Sequence, residues 1–178
     1  MDRASGYGPE GWGFDSSRGR HRVLYCLMSD DTPFLIEALR LARKAAGLGE
    51  VPIGAVVVSD DKIVGRGYNQ TRRQGSVFAH AEILALKQAQ GKMRDFRLDR
   101  MSLYVTLEPC LMCLGAVLLS RIKEIHYILS DPTFGSWRSL LKGVARGSYR
   151  DLRFFEHKEL RGEVRALLKK FFAKLRKR

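Results

Sequence analysis

Leu103-Tyr104-Val105-Thr106-Leu107-Glu108-Pro109-Cys110-Leu111-Met112-Cys113 is the stretch whose reading decides the fold. Leu103 to Leu107 is a short apolar run and reads as a strand. Pro109 opens a helix that continues through Cys113 to about Ser120. The two cysteines stand three apart at its start, so they share one face. Unpaired N–H groups and the helix dipole favour thiolates there. Further along, Ile122 to Leu129 reads as a strand and Arg153 to Glu156 as a weaker one. Upstream, Ile53 to Val58 and Ile63 to Tyr68 flank Ser59-Asp60-Asp61-Lys62 and read as a hairpin. Thr32 is a good N-cap, Pro33 suits the first helical position, and Leu35, Ala38, Leu39, Ala42 and Ala46 follow at helical spacing until Gly47 and Gly49. Asn69 to Val77 is polar and loop-like. His80 to Gln90 predicts a helix ended by Gly91. Leu160, Val164, Leu167, Leu168, Phe171, Phe172 and Leu175 predict a last helix with one apolar face. Strands alternating with helices after a first hairpin imply an α/β fold in which helices cover a mixed sheet.

A second word, His80-Ala81-Glu82, supplies what the cysteines lack. One imidazole and two thiolates are three ligands for a catalytic zinc ion. They leave a fourth position for a water whose pKa the ion lowers to about 7. Glu82 lies two residues past His80, nearly opposite it on a helix. The ion must therefore sit beyond the helix end, where Glu82 reaches the water without ligating the metal. The paired words are the signature of zinc nucleobase deaminases, with Glu82 as proton carrier. A thioredoxin-like reading of Cys110 and Cys113 leaves His80 and Glu82 unexplained. A closed structural zinc site needs a fourth ligand; Cys26, His21, His126 and His157 are available but none has motif spacing to the pair. Plain core packing is the usual fate of lone His and Cys, but not of four residues in two spaced words.

The 178 residues suit one domain, and the net charge of +13 points to a polyanionic partner, nucleic acid first. Three cysteines, two of them spent in one motif, do not make a disulfide framework and fit a reducing, cytoplasmic setting. No apolar run approaches the length of a membrane helix. Residues 1–28 are glycine-rich and without periodicity. They read as a disordered N-terminal extension ahead of a zinc-dependent domain over 29–178.

The chain resembles the bacterial tRNA-specific adenosine deaminases of the cytidine deaminase superfamily. The resemblance covers about residues 32–178 and rests on five runs. These are Glu50-Val51-Pro52-Ile53-Gly54-Ala55-Val56, Gly67-Tyr68-Asn69, Ala79-His80-Ala81-Glu82-Ile83, Leu103 through Cys113, and Ser120-Arg121-Ile122. It implies a cytidine-deaminase-like three-layer α/β/α sandwich with a five-stranded mixed sheet, assembled as a homodimer. It implies one Zn2+ per subunit on His80, Cys110 and Cys113, with Glu82 catalytic. The implied reaction is adenosine to inosine at the wobble base of a tRNA anticodon. Asn69 matches the residue that contacts the flipped base, Val51 and Pro52 match pocket-lining residues, and Ala81 and Asp131 fall among the substrate-binding positions. After the fourth strand the family usually carries Asp-x-Lys-x-Gly-Ala. Here Asp131-Pro132-Thr133-Phe134-Gly135-Ser136-Trp137 keeps the Asp and the Gly but puts Thr133 at the Lys position and bulky Trp137 where a small residue is usual. Phe134 and Trp137 either stack on splayed bases or pack over the core.

The last helix is crowded with cations from Lys158 to Arg178, against only Glu159 and Glu163. Either it is a phosphate-binding face, with Lys170, Lys174 and Arg176 as RNA-backbone contacts, or it is a solvated face. Phe171 and Phe172 read as core residues, and the resemblance implies that one of them reaches the substrate. Two other functions use the same words: a free nucleobase or nucleoside deaminase acting on guanine or cytosine, and a catalytically silent RNA-binding subunit. The positive charge and the matched flanks argue against the first, and the intact Glu82 against the second.

Overall fold

A computed structural model describes residues 31–135 and 152–177. The expectations for residues 1–28, His21, Cys26, Ser136, Trp137 and Arg178 lie outside the described residues. Over Thr32–Arg178, which forms one compact unit, the described elements are α1 (Thr32–Gly47), β1 (Gly54–Ser59), β2 (Lys62–Tyr68), α2 (Thr71–Gln74), α3 (Ala81–Met93), β3 (Met101–Leu107), α4 (Leu111–Leu119), β4 (Glu124–Leu129), β5 (Arg153–Glu156) and α5 (Arg161–Leu175).

The strands make one five-stranded sheet in the order β2-β1-β3-β4-β5. β1 pairs antiparallel with β2 and β3, while β3, β4 and β5 run parallel. The hairpin turns on Asp60 and Asp61, both at positive φ, the backbone that a tight turn between twisted strands requires. Side chains alternate across the pleat. Ala55, Val57, Leu103, Val105, Ile125 and Tyr127 form one core with Ala81, Ala85 and Ala89 of α3 and Leu114 and Val117 of α4. Val56, Val58, Tyr104 and Ile128 form the other with Leu35 and Leu39 of α1 and Leu160 and Val164 at α5. The result is the expected three-layer α/β/α sandwich.

Glycine sets how closely α3 approaches the sheet. A Cβ at Gly67 would stand 1.9 Å from the Ala81 carbonyl oxygen, and one at Gly65 2.2 Å from that of Ala85. Only bare backbone at these positions lets α3 lie directly on β2, which seats the first turn of α3 over the sheet end.

Three boundaries differ from the sequence reading. The polar loop after β2 contains the single helical turn α2, too short to register as periodicity. α3 runs through Gly91 to Met93 and stops at Arg94, which takes the left-handed conformation. Gly91 is exposed with open space where its Cβ would be, and an isolated helical glycine costs only about 1 kcal/mol relative to alanine. Pro109 precedes the helix rather than opening it; Cys110 is the N-cap of α4.

Candidate active site

Two helix N-termini meet at the ends of β1 and β3. His80 is the N-cap residue of α3, with extended backbone, and Glu82 lies in its first turn. Cys110 holds the same place on α4, and Cys113 lies in that helix's first turn. Neither N-cap side chain bonds its own helix. Both turn outward to a common point. His80 Nδ1 stands 3.4 Å from Cys113 Sγ and 3.7 Å from Cys110 Sγ.

With protons alone in the site, charge separates between the sulfurs. Cys110 accepts from the Cys113 thiol and sits beside His80, which brings it down to about 4. Cys113 donates that bond and is buried, and both effects push it up. The hydrogen bond to Cys110 raises His80. Burial pushes Glu82 up, because a carboxylate out of water loses its hydration.

The donor set fits a metal. The three ligand atoms lie within 4.8 Å of one another. Two soft sulfurs and one imidazole nitrogen suit zinc with a position left for water. Glu82 is buried, and its Oε2 has no hydrogen-bond partner among the described residues. A buried, unsatisfied acceptor is costly unless a donor arrives, so this oxygen is matched to a polar reactant. His126 and His157, the remaining described histidines, meet each other with Nδ1 3.0 Å from Nε2, away from this cluster.

A cavity of about 660 Å³ opens over His80, Glu82 and Cys110. Its volume is in the range of small-molecule sites. Val51, Asn69, Leu107 and Leu129 form the inner wall, Thr71 one lip, Asp131 to Phe134 another, and Leu168 and Phe172 of α5 a third. Asn69 Oδ1 accepts the Ala81 N–H at 3.2 Å. That bond uses one side of the amide and leaves its two N–H donors for a ligand. Ala81 is buried behind Asn69 and acts through this bond. Pro52 is buried and does not line the cavity. Asp131 does line it, but its Oδ1 accepts the N–H groups of Thr133 (2.8 Å) and Phe134 (3.1 Å), so the carboxylate shapes its own turn.

The phenylalanine pair of α5 divides its work. Phe171 is 9% exposed and packs inward, whereas Phe172 is 45% exposed and lines the cavity. Among the α5 cations, Arg165, Lys169 and Arg176 lie three or four residues from Leu168 or Phe172, on the pocket flank. Lys170 and Lys174 lie two residues away and turn to the other flank.

Two buried carboxylates went unread in the sequence. Glu50 is 1% exposed. It accepts the Thr71 hydroxyl and the N–H groups of Arg72 and Arg73, at 3.3, 3.2 and 2.7 Å. It therefore caps α2 from another loop. Glu108 accepts the Asp131 N–H at 3.1 Å and ties the loop after β4 to the cysteine motif. Both lay inside matched runs, yet only the tertiary structure brings donors to them.

A family model described as MafB19-like deaminase matches residues 29–176. The chain belongs to this deaminase family. Among its relatives, the deaminase is 36% identical over 151 residues to the tRNA-specific adenosine deaminase of Bacillus subtilis, covering 85% of this chain and 94% of that one. A structure described as concerning A-to-I editing by tRNA:A34 deaminases superimposes with a TM-score of 0.71 at 36% identity, over 77% of this chain and 99% of that chain. NE0047 in complex with 2,6-diaminopurine superimposes with a TM-score of 0.68 at 26% identity, over 83% of each chain.

Proposed function

We propose that this deaminase hydrolyses adenosine to inosine at the wobble position of a tRNA anticodon. The observation that carries the reading is the convergence of His80, Cys110 and Cys113 beside a buried Glu82, in the lining of a cavity of about 660 Å³ that has room for a flipped nucleotide. The tRNA adenosine deaminases among its relatives support the choice of substrate.

His80, Cys110 and Cys113 would hold zinc, which when bound supplies a Lewis acid and a water of lowered pKa. The chain's own residues do the rest. Asn69, anchored through Ala81, offers its amide N–H donors to a purine acceptor, and Val51 gives the ring an apolar wall. Glu82 takes a proton from the attacking water and delivers it to the purine ring nitrogen as oxygen adds at C6. It then takes the proton of the new C6 hydroxyl and passes it to the amino group, so that the C6 carbonyl forms as the C–N bond breaks and ammonia leaves. Adenosine and water thus become inosine and ammonia. One carboxylate serves every proton transfer because its burial keeps its affinity for a proton high.

The nucleic-acid reading places phosphates along the pocket flank of α5, on Arg165, Lys169 and Arg176, rather than on Lys170 and Lys174. Phe134 and Phe172, both exposed at the mouth, are platforms for bases flanking the flipped one. We further propose a homodimer through the face of α3 and α4. There Phe96, Leu111 and Leu119 are exposed beside a shallow cavity lined by Ile83, Leu86 and Ala116. We take the catalytic domain as 29–178, and the unbridged Cys110 and Cys113 support a reducing compartment such as the cytoplasm. Among the described residues no helix is long and apolar enough to cross a membrane.

The test is purified protein with zinc and an anticodon stem-loop bearing adenosine at the wobble position. Inosine in the stem-loop, with no turnover of free adenine, guanine or cytidine, is the expected result. Turnover of free guanine with the stem-loop untouched would replace this reading by that of a nucleobase deaminase. Sedimentation of the same sample gives the mass; a monomer refutes the dimer.

A further inference from the structure

α2 is one helical turn at the lip of the pocket. Asn69 and Thr71 line the cavity, and Arg72 and Arg73 follow directly, both exposed. Much of the arginine elsewhere on the protein is neutralised by carboxylates. Arg40 and Arg66 share Glu37, Arg97 meets Asp95, Arg43 meets Glu163, Arg153 meets Glu124 and Arg161 meets Glu156. The guanidiniums of Arg72 and Arg73, like those of Arg165 and Arg176 near the α5 lip, have no carboxylate partner among the described residues. Two cations without a neutralising carboxylate beside the pocket mouth raise the local positive potential, which favours an anion there.

Glu50 explains how the pair is held. Its buried carboxylate takes the backbone N–H groups of both arginines and the Thr71 hydroxyl. The negative charge is spent on backbone, behind the turn, and leaves the guanidiniums uncommitted. The N–H groups of Arg72 and Arg73 are used, so an anion approaching these two residues meets their side chains. The backbone from which they project is fixed before any ligand arrives, and a preorganised site loses less on binding.

We propose that Arg72 and Arg73 grip the phosphodiester backbone next to the base that enters the pocket, on the α2 lip. This inference rests on the RNA reading above. The guanidinium fork suits phosphate oxygens. The phosphates of a flipped-out nucleotide must pass the mouth, which Thr71, the first residue of α2, lines. With α5 at another lip, the strand lies between two cationic edges, and Glu50 is the positioning residue of the α2 edge.

The test compares wild type with the double variant Arg72→Gln, Arg73→Gln on an anticodon stem-loop carrying a fluorophore, titrated at several salt concentrations between 50 and about 200 mM, where phosphate contacts govern affinity. Each single-strand phosphate contact contributes about 0.7 to the slope of log K against log salt, so losing two flattens it by about 1.4. The Kd at low salt should rise at least about tenfold. Arg72→Lys with Arg73→Lys keeps the charge and should keep most of the slope, and Arg97→Gln, whose guanidinium is committed to Asp95, should leave it unchanged. Zinc content and melting temperature identify a misfolded variant, in which case the lysine pair against wild type decides: loss of slope with charge retained overturns the proposal. An unchanged slope in the glutamine pair, with wild type still forming inosine, overturns the grip and leaves the catalytic reading standing. Failure of wild type to bind or deaminate the stem-loop overturns both.

Discussion

Gly67→Ala tests whether close packing of α3 on β2 is what assembles the site. An added Cβ would stand 1.9 Å from the Ala81 carbonyl oxygen, 2.7 Å from the Ala85 nitrogen and 2.9 Å from the Ala81 carbonyl carbon. Real Cβ atoms essentially never approach within 3.0 Å, so backbone must move by at least 3.0 − 1.9 = 1.1 Å. All three neighbours are backbone, and no side chain can rotate away. If α3 yields, His80 and Glu82 move with its first turn. If β2 yields, Asn69 moves, since it follows the end of that strand directly. Either response misplaces one half of the site relative to the other. Overpacking of this kind costs about 1–3 kcal/mol, and a misplacement of about 1 Å lowers turnover by about 10²-fold. The matched control is Gly91→Ala in the same helix, where the new Cβ meets nothing within 4 Å. It should stabilise by up to about 1 kcal/mol through helix propensity, with turnover unchanged. Urea unfolding gives both free energies, and single-turnover deamination with a zinc assay gives the functional effect. The reasoning is refuted if the two alanines behave alike, or if Gly67→Ala keeps full turnover and loses less than about 0.5 kcal/mol.

Glu82→Gln keeps the volume and removes the proton carrier; turnover should fall by at least about 10²–10⁴ with zinc bound stoichiometrically, and full turnover with zinc retained would reject the assignment. In metal-free protein Cys110, brought down to about 4, is a thiolate throughout neutral pH and loses that form only as pH falls through about 4. Iodoacetamide at pH 6 should therefore label Cys110 and spare Cys113, with zinc protecting Cys110; peptide mapping reads both, and preferential labelling of Cys113 would contradict the charge separation. Glu50→Gln leaves an amide N–H facing the backbone donors of α2 and should cost about 1–3 kcal/mol in thermal or urea unfolding; a loss below about 0.5 kcal/mol would show that the cap is not formed in solution.

The chemistry of this protein is local in sequence. His80 and Glu82, and Cys110 and Cys113, are pairs whose spacing and helix-start positions are set within a few residues, so the candidate ligands, the candidate proton carrier and the class of metal they would suit are legible without a fold. The strands are legible for the same reason, since a short apolar run bounded by turn residues is a local pattern. What requires the folded chain is everything that depends on approach between distant segments. That Gly67 is needed follows from where Ala81 lands on β2, a contact between residues that share no local pattern. Glu50 and Glu108 read as ordinary charged residues until donors from other segments, at Arg72, Arg73 and Asp131, close around them. Phe171 and Phe172 are neighbours of one residue type, and only the seating of α5 against the sheet sends one inward and the other to the pocket. Local periodicity and ligand spacing act along the chain; burial, preorganisation and the uncommitted charge of Arg72 and Arg73 arise when separate segments meet, and no reading of either segment alone contains them.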